Sequence, residues 1–107
     1  MASSASYLHF ILEQLNGLEG RLTFKKMMGE YLLYVDGILV SGIYDDRLLI
    51  KKTKRNAPYR FSDEIPYDGA KPMWLVDTVD DREETRRVLE NVYEDLKNIS
   101  RKEGSPQ

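Results

Sequence analysis

From Tyr7 to Leu15 the large apolar residues Tyr7, Leu8, Ile11, Leu12 and Leu15 recur at the spacing of one helix face, and Gly17 stands where such a helix would close. The pattern predicts a helix over about 4–16, with Ser4 or Ser6 as N-cap, because a hydroxyl there accepts a bond from an unpaired first-turn amide. From residue 22 the period drops to two. In "EYLLYVDGILVSGIY" the pair Asp36-Gly37 suits a type I′ turn, which needs positive φ at both central residues and matches the twist of a two-stranded ribbon. "YDDR" supplies the next turn and "RLLIKK" the next strand. With a strand at about 22–28, this predicts a four-stranded antiparallel meander. Gly42, inside a strand, marks a bulge or a point of close backbone approach.

Pro58, Pro66, Gly69 and Pro72 interrupt the chain that follows, which is long enough to include a short helical turn. "MWLVD" reads as a fifth strand. After it, Val88, Leu89, Val92, Tyr93, Leu96 and Ile99 form one stripe of a closing helix, with Asp80 and Glu83 spaced as a capping box. The expected fold is α+β in two layers, an antiparallel five-stranded sheet with the N- and C-terminal helices on one face. Residues 1–6 and 100–107 are small, polar or charged and predict flexible tails around a single domain over 7–99. Tyr31, Leu33 and Val35 share one strand face and Leu32 and Tyr34 the other. A sheet covered on one side leaves an apolar face open, so these five are the candidate interface of a two-fold homodimer.

The chain has 107 residues and no cysteine, which excludes disulfides, thiolate nucleophiles and Cys-ligated zinc. No apolar run approaches the roughly 20 residues of a membrane span, and "MASSAS" lacks the basic start and apolar middle of a signal peptide, so a cytoplasmic protein without membrane contact is expected. His9 is the only histidine and lacks the partners that a triad or a His-based metal site requires. The acid pairs Asp45-Asp46, Asp63-Glu64 and Asp80-Asp81 fall where turns and caps favour Asp. The glycines are too dispersed for a phosphate cradle. No catalytic, cofactor-binding or metal-binding residue is assigned.

The net charge of −2 argues against nucleic-acid binding by bulk charge, but its distribution is uneven. "KKTKRNAPYR" holds Lys51, Lys52, Lys54, Arg55 and Arg60 with no acid among them, whereas residues 77–95 carry eight acids against three arginines. With Lys71, the five cations are candidate contacts for nucleic acid or another partner, and Tyr59 and Phe61 lie among them as candidates for base stacking. The same lysines equally suit a solvated strand end that guards a sheet edge.

Taken in order, "KKMMGEYLLYVDG", "GIYDDRLLIK" and "PYDGAKPM" resemble the N-terminal domain of the TfoX/Sxy family, over about residues 8–96. The resemblance implies a fold like that of type III secretion chaperones, which are dimeric. It also implies a bacterial, competence-regulator-like domain that works by protein–protein interaction without enzymatic activity. The alternative is nucleic-acid binding through the 51–60 segment in transcriptional regulation. The matching positions Met28, Gly29, Asp36, Gly37, Asp46, Arg47, Pro66, Gly69 and Lys71 are expected to be structural, and the protein partner is not identified by the sequence.

Overall fold

The computed structural model describes residues 3–104 of the chain. Helix α1 (Ala5–Gln14) leads into strands β1 (Leu22–Met27), β2 (Glu30–Val35), β3 (Ile38–Ile43) and β4 (Leu48–Ile50). A 3-10 helix (Lys54–Tyr59), the short strand β5 (Asp63–Glu64), strand β6 (Met73–Leu75) and helix α2 (Arg82–Gly104) follow. The fold is α+β. All neighbouring strands are antiparallel, in the order β1-β2-β3-β4-β6-β5. Among the described residues the sheet has six strands rather than the expected five, because Asp63 and Glu64 pair with Trp74 and Met73. Two residues flanked by turn signals carry no period-two pattern, which is why the sixth strand is invisible in the sequence.

One face of the sheet carries both helices. Tyr31, Leu33 and Val35 of β2, Ile43 of β3, and Leu48 and Ile50 of β4 pack against Leu8, Ile11 and Leu15 of α1 and Val88, Leu89 and Val92 of α2. The Asp36-Gly37 turn has φ of 49° and 82°, the pair of positive values that type I′ requires. Asp36 contributes more than its backbone, since its carboxylate accepts the Arg21 amide at 2.8 Å. The bulge in β3 falls at Val40, between the pairs Leu33–Ser41 and Tyr34–Leu39, and not at Gly42. Gly42 instead receives the Tyr44 ring, which lies 2.4 Å from where a Cβ would stand.

Three boundaries depart from expectation. The N-terminal segment is not a tail from Ser3 onward. The Ser3 amide donates to the Gly29 carbonyl at 3.0 Å, and its hydroxyl donates to Glu30 at 2.6 Å and accepts the Asp46 amide at 3.0 Å. Ser4 caps α1 by accepting the Tyr7 amide, while its own amide donates to Asp46 at 2.8 Å. Two left-handed turns, at Met28-Gly29 and Asp45-Asp46, thus clasp the start of the chain. At the other end α2 continues through Gly104 rather than stopping at residue 99. The remaining tail positions, 1–2 and 105–107, lie outside the described residues. The cap of α2 is Asp81, whose carboxylate accepts the Glu84 amide at 3.1 Å, one residue beyond the expected Asp80.

The basic and acidic stretches meet. The 3-10 helix lies on α2, where Arg55 pairs with the buried Asp95 through both its guanidinium and its amide. Asn56 donates to the Val88 carbonyl at 3.0 Å and Tyr59 to Glu84 at 2.6 Å. Burial pushes the Asp95 carboxyl up, but the Arg55 amide and guanidinium outweigh it and hold the group below the usual carboxylate range.

Two outcomes follow. Asp46→Ala removes the acceptor for Ser4 and leaves alanine in a left-handed conformation, so thermal denaturation should show a loss of about 2 kcal/mol. Asp46→Asn, which tolerates that backbone, should lose less. For Asp95, a folded pKa below the unfolded one gives stabilisation that is complete above the unfolded value and lost as pH falls through the folded value. Asp95→Asn should therefore cost about 1–2 kcal/mol near neutral pH, a figure discounted because Arg55 is half exposed. In urea titrations at stepped pH, the gap to wild type should close as pH falls below about 4.

Candidate functional site

The six candidate cations do not converge. Lys51, Lys52 and Lys71 stand around a groove on the sheet face opposite the helices, while Lys54 and Arg55 lie with Asp95 on the side of α2. Lys52 is paired with Asp63 at 2.7 Å and Arg55 with Asp95, so two of the six charges are neutralised within the fold. Arg60, with φ of 57°, ends the 3-10 helix in the left-handed region. The aromatics beside them are committed as well. Tyr59 and Phe61 stack on each other, 5.0 Å apart and 8° from parallel, Phe61 is buried and Tyr59 half-buried with its hydroxyl on Glu84, so one face of each ring is already taken.

The candidate interface is also reassigned. Tyr31, Leu33 and Val35 are 6%, 0% and 1% exposed beneath the helices and cannot meet a partner. On the other face Leu32 is 9% exposed and Tyr34 half-buried. That face is furnished by the chain's own Tyr44 and by the segment after β5, so alternation alone overestimates how open it is.

The cover is organised by Arg47. Its guanidinium donates to Glu64 at 2.9 Å, to the Ile65 carbonyl at 3.2 Å and to the Tyr44 carbonyl at 3.1 Å. This ties the β3–β4 turn to the start of the proline-rich segment, whose Pro66 is buried. A turn closed by the Ala70 amide on the Tyr67 carbonyl, with Gly69 at φ 86°, folds the segment back as a wall. Between wall and sheet lies a groove of about 420 Å3. Its floor forms where β3 and β4 part, since their pairing spans only Ser41–Ile43 and Leu48–Ile50, and the Val40 bulge turns β3 away. Leu39, Tyr44, Tyr67 and Met73 line it, with Lys51 and Lys71 at its rim. Burial pushes the Tyr44 hydroxyl above its ordinary value, and Tyr67, Glu30 and Tyr34 add to the shift.

Most of the motif positions expected to be structural have local work. Asp36, Gly37 and Gly29 shape turns, Asp46 holds Ser4, and Arg47, Pro66 and Gly69 build the wall. Met28 and Lys71 differ. Met28 is 95% exposed in a left-handed conformation that disfavours side chains, and Lys71 is exposed without an ion pair among the described residues. Tyr44, Tyr67, Leu39 and Met73, which the sequence reading left out of any site, were signalled only by aromatic and apolar residues beside turn and proline signals.

Among the described residues, no three His, Cys, Asp or Glu side chains are grouped to hold a metal ion, and His9 is exposed on α1. No helix there is long and apolar enough to cross a membrane.

No protein-family model matches the chain. The chain is 41% identical over 81 residues, covering 74% of its own length and 70% of the relative's, to an uncharacterized 12.7 kDa protein in the trpE 5′ region of Spirochaeta aurantia. On that extent of shared sequence, the chain belongs to the same protein family as the Spirochaeta aurantia protein.

Proposed function

We propose that the protein is a non-enzymatic regulatory or adaptor domain of the cytoplasm, akin to the N-terminal domain of TfoX/Sxy competence regulators, and that it works through protein contacts made first with a second copy of itself. The observation that carries this reading is the concentration of exposed apolar side chains along β1 and the turn that ends it: Phe24 and Met27 on the strand and Met28 in the turn lie within five residues, and the strand's outer edge is unpaired among the described residues. An exposed edge of six residues is a template for another strand. The hairpin at Met28-Gly29 sets which groups face outward. Met27 pairs with Glu30 across a two-residue turn, so the alternation of the antiparallel ladder directs the N–H and C=O of Leu22, Phe24 and Lys26 to the open side.

A two-fold axis through Phe24 lets all three residues bond to their counterparts. Phe24 then faces its copy, Lys26 faces Leu22 and Lys25 faces Thr23, so no lysine lies directly opposite another. Registers moved by one residue would put the helix faces on opposite sides. Phe24 is already set edge-on against Tyr31 at 6.1 Å, which fixes its ring for such a contact. The nucleic-acid reading loses support from the pairing of Lys52 and Arg55 with acids and from the self-stacking of Tyr59 and Phe61.

Light scattering across a concentration series should approach twice the 12.5 kDa chain mass at hundreds of micromolar, and Phe24→Glu should return it to the monomer without lowering stability. A wild-type monomer throughout that range would refute self-association through β1. Met28→Gly relieves the left-handed backbone, so its thermal midpoint should be equal or higher, by up to about 1 kcal/mol of stability, while association weakens.

A further inference from the structure

The groove opposite the helices has no role in the contact just described, and its chemistry identifies a ligand class. Its volume of about 420 Å3 lies within the roughly 300–1,000 Å3 of small-molecule sites. Its wall is preformed. Arg47 fixes where the wall begins, Pro66 and Pro72 restrict its backbone, and the Tyr67–Ala70 turn closes it. Tyr44 and Tyr67, with rings 6.2 Å apart, present apolar surface at one end. Leu39 and Tyr67 are exposed although they line this concavity, which leaves apolar area that the fold itself does not use.

Charge narrows the class. In a protein of net charge −2, this rim gathers Lys51, Lys52 and Lys71. Asp63 neutralises Lys52, and among the described residues Lys51 and Lys71 have no acidic partner. Two unpaired ammonium groups beside an apolar floor suit one negative group attached to an apolar body. A nucleic-acid strand needs a longer track of cations, and the groove supplies only these two. The rigid, bounded shape favours a compact molecule whose burial costs the protein little ordering. We propose that this groove binds a small organic anion, a carboxylate carried on an aromatic or branched aliphatic body, with the apolar part over Leu39, Tyr44, Tyr67 and Met73 and the carboxylate between Lys51 and Lys71.

The test compares two probes of one skeleton, 4-phenylbutyrate and the uncharged 4-phenylbutan-1-ol, by amide chemical-shift titration of the full chain. The expected result is saturable shifts centred on Val40, Lys51, Tyr67 and Ala70, with the carboxylate bound at least about fivefold more tightly than the alcohol. Lys51→Gln combined with Lys71→Gln should abolish that preference at an unchanged thermal midpoint, and Lys51→Arg combined with Lys71→Arg should keep it. Equal affinity for the two probes overturns the proposal, as does a preference that survives the glutamine pair. So does the absence of saturable shifts up to about 10 mM, or saturation only by an acidic peptide. Because β1 and the groove share no residue, self-association and anion binding fail separately.

Discussion

A strand buried on both faces must be covered twice, and in this fold the second cover depends on one guanidinium. Leu48 and Ile50 point to the helices, while Leu49 points the other way and is just as fully buried. Helices supply the first cover through an ordinary amphipathic stripe. The second comes from irregular chain, which cannot hold itself in place by a backbone ladder and needs side-chain bonds instead. Arg47 provides them by bridging a turn it belongs to and a segment that begins 17 residues later, and a rigid fork with several donors suits that task better than a lysine would.

The uneven charge of the chain is resolved in the same way. A basic run followed by an acidic helix looks like an electrostatic footprint when read linearly. In three dimensions part of it is internal: Arg55 and Lys52 are held by Asp95 and Asp63, and Asn56 is buried with its amide on the Val88 carbonyl. Among the described residues Lys51, Lys54, Arg60 and Lys71 are left without an acidic partner, and of these Lys51 and Lys71 stand beside the apolar groove. Clustering in sequence therefore misstates clustering in space, because a 3-10 turn sends successive side chains in different directions.

The meander, its Asp36-Gly37 turn and the closing helix were legible because each rests on local rules: alternation, positive φ and a 3.6-residue stripe. The clasp at Ser3 was not, since it joins residues 3, 30 and 46, and small polar residues before a helix read equally well as a loose end. The bulge at Val40 was hidden for a related reason. Gly42 carries the sequence signature of a bulge, but its missing Cβ serves the Tyr44 ring. The groove was only hinted at, by Tyr67 and the prolines around it, because its lining comes from five separate stretches of chain that no single window contains.

The seating of Tyr44 on Gly42 gives the two sides of the sheet different freedom to diversify. On the helix side nearly every position touches several others, and a change of one methyl group propagates through the packing. On the far side a single ring rests on a single glycine, and the wall beyond it is irregular chain held at its two ends, by Arg47 and β5 at one and by the pairing of β6 with β4 at the other. The exposed side chains of that wall and groove, Tyr67 and Leu39 among them, can be exchanged with little consequence for the helix-side core, so this surface can be reshaped while the helices, the clasp and the meander stay as they are.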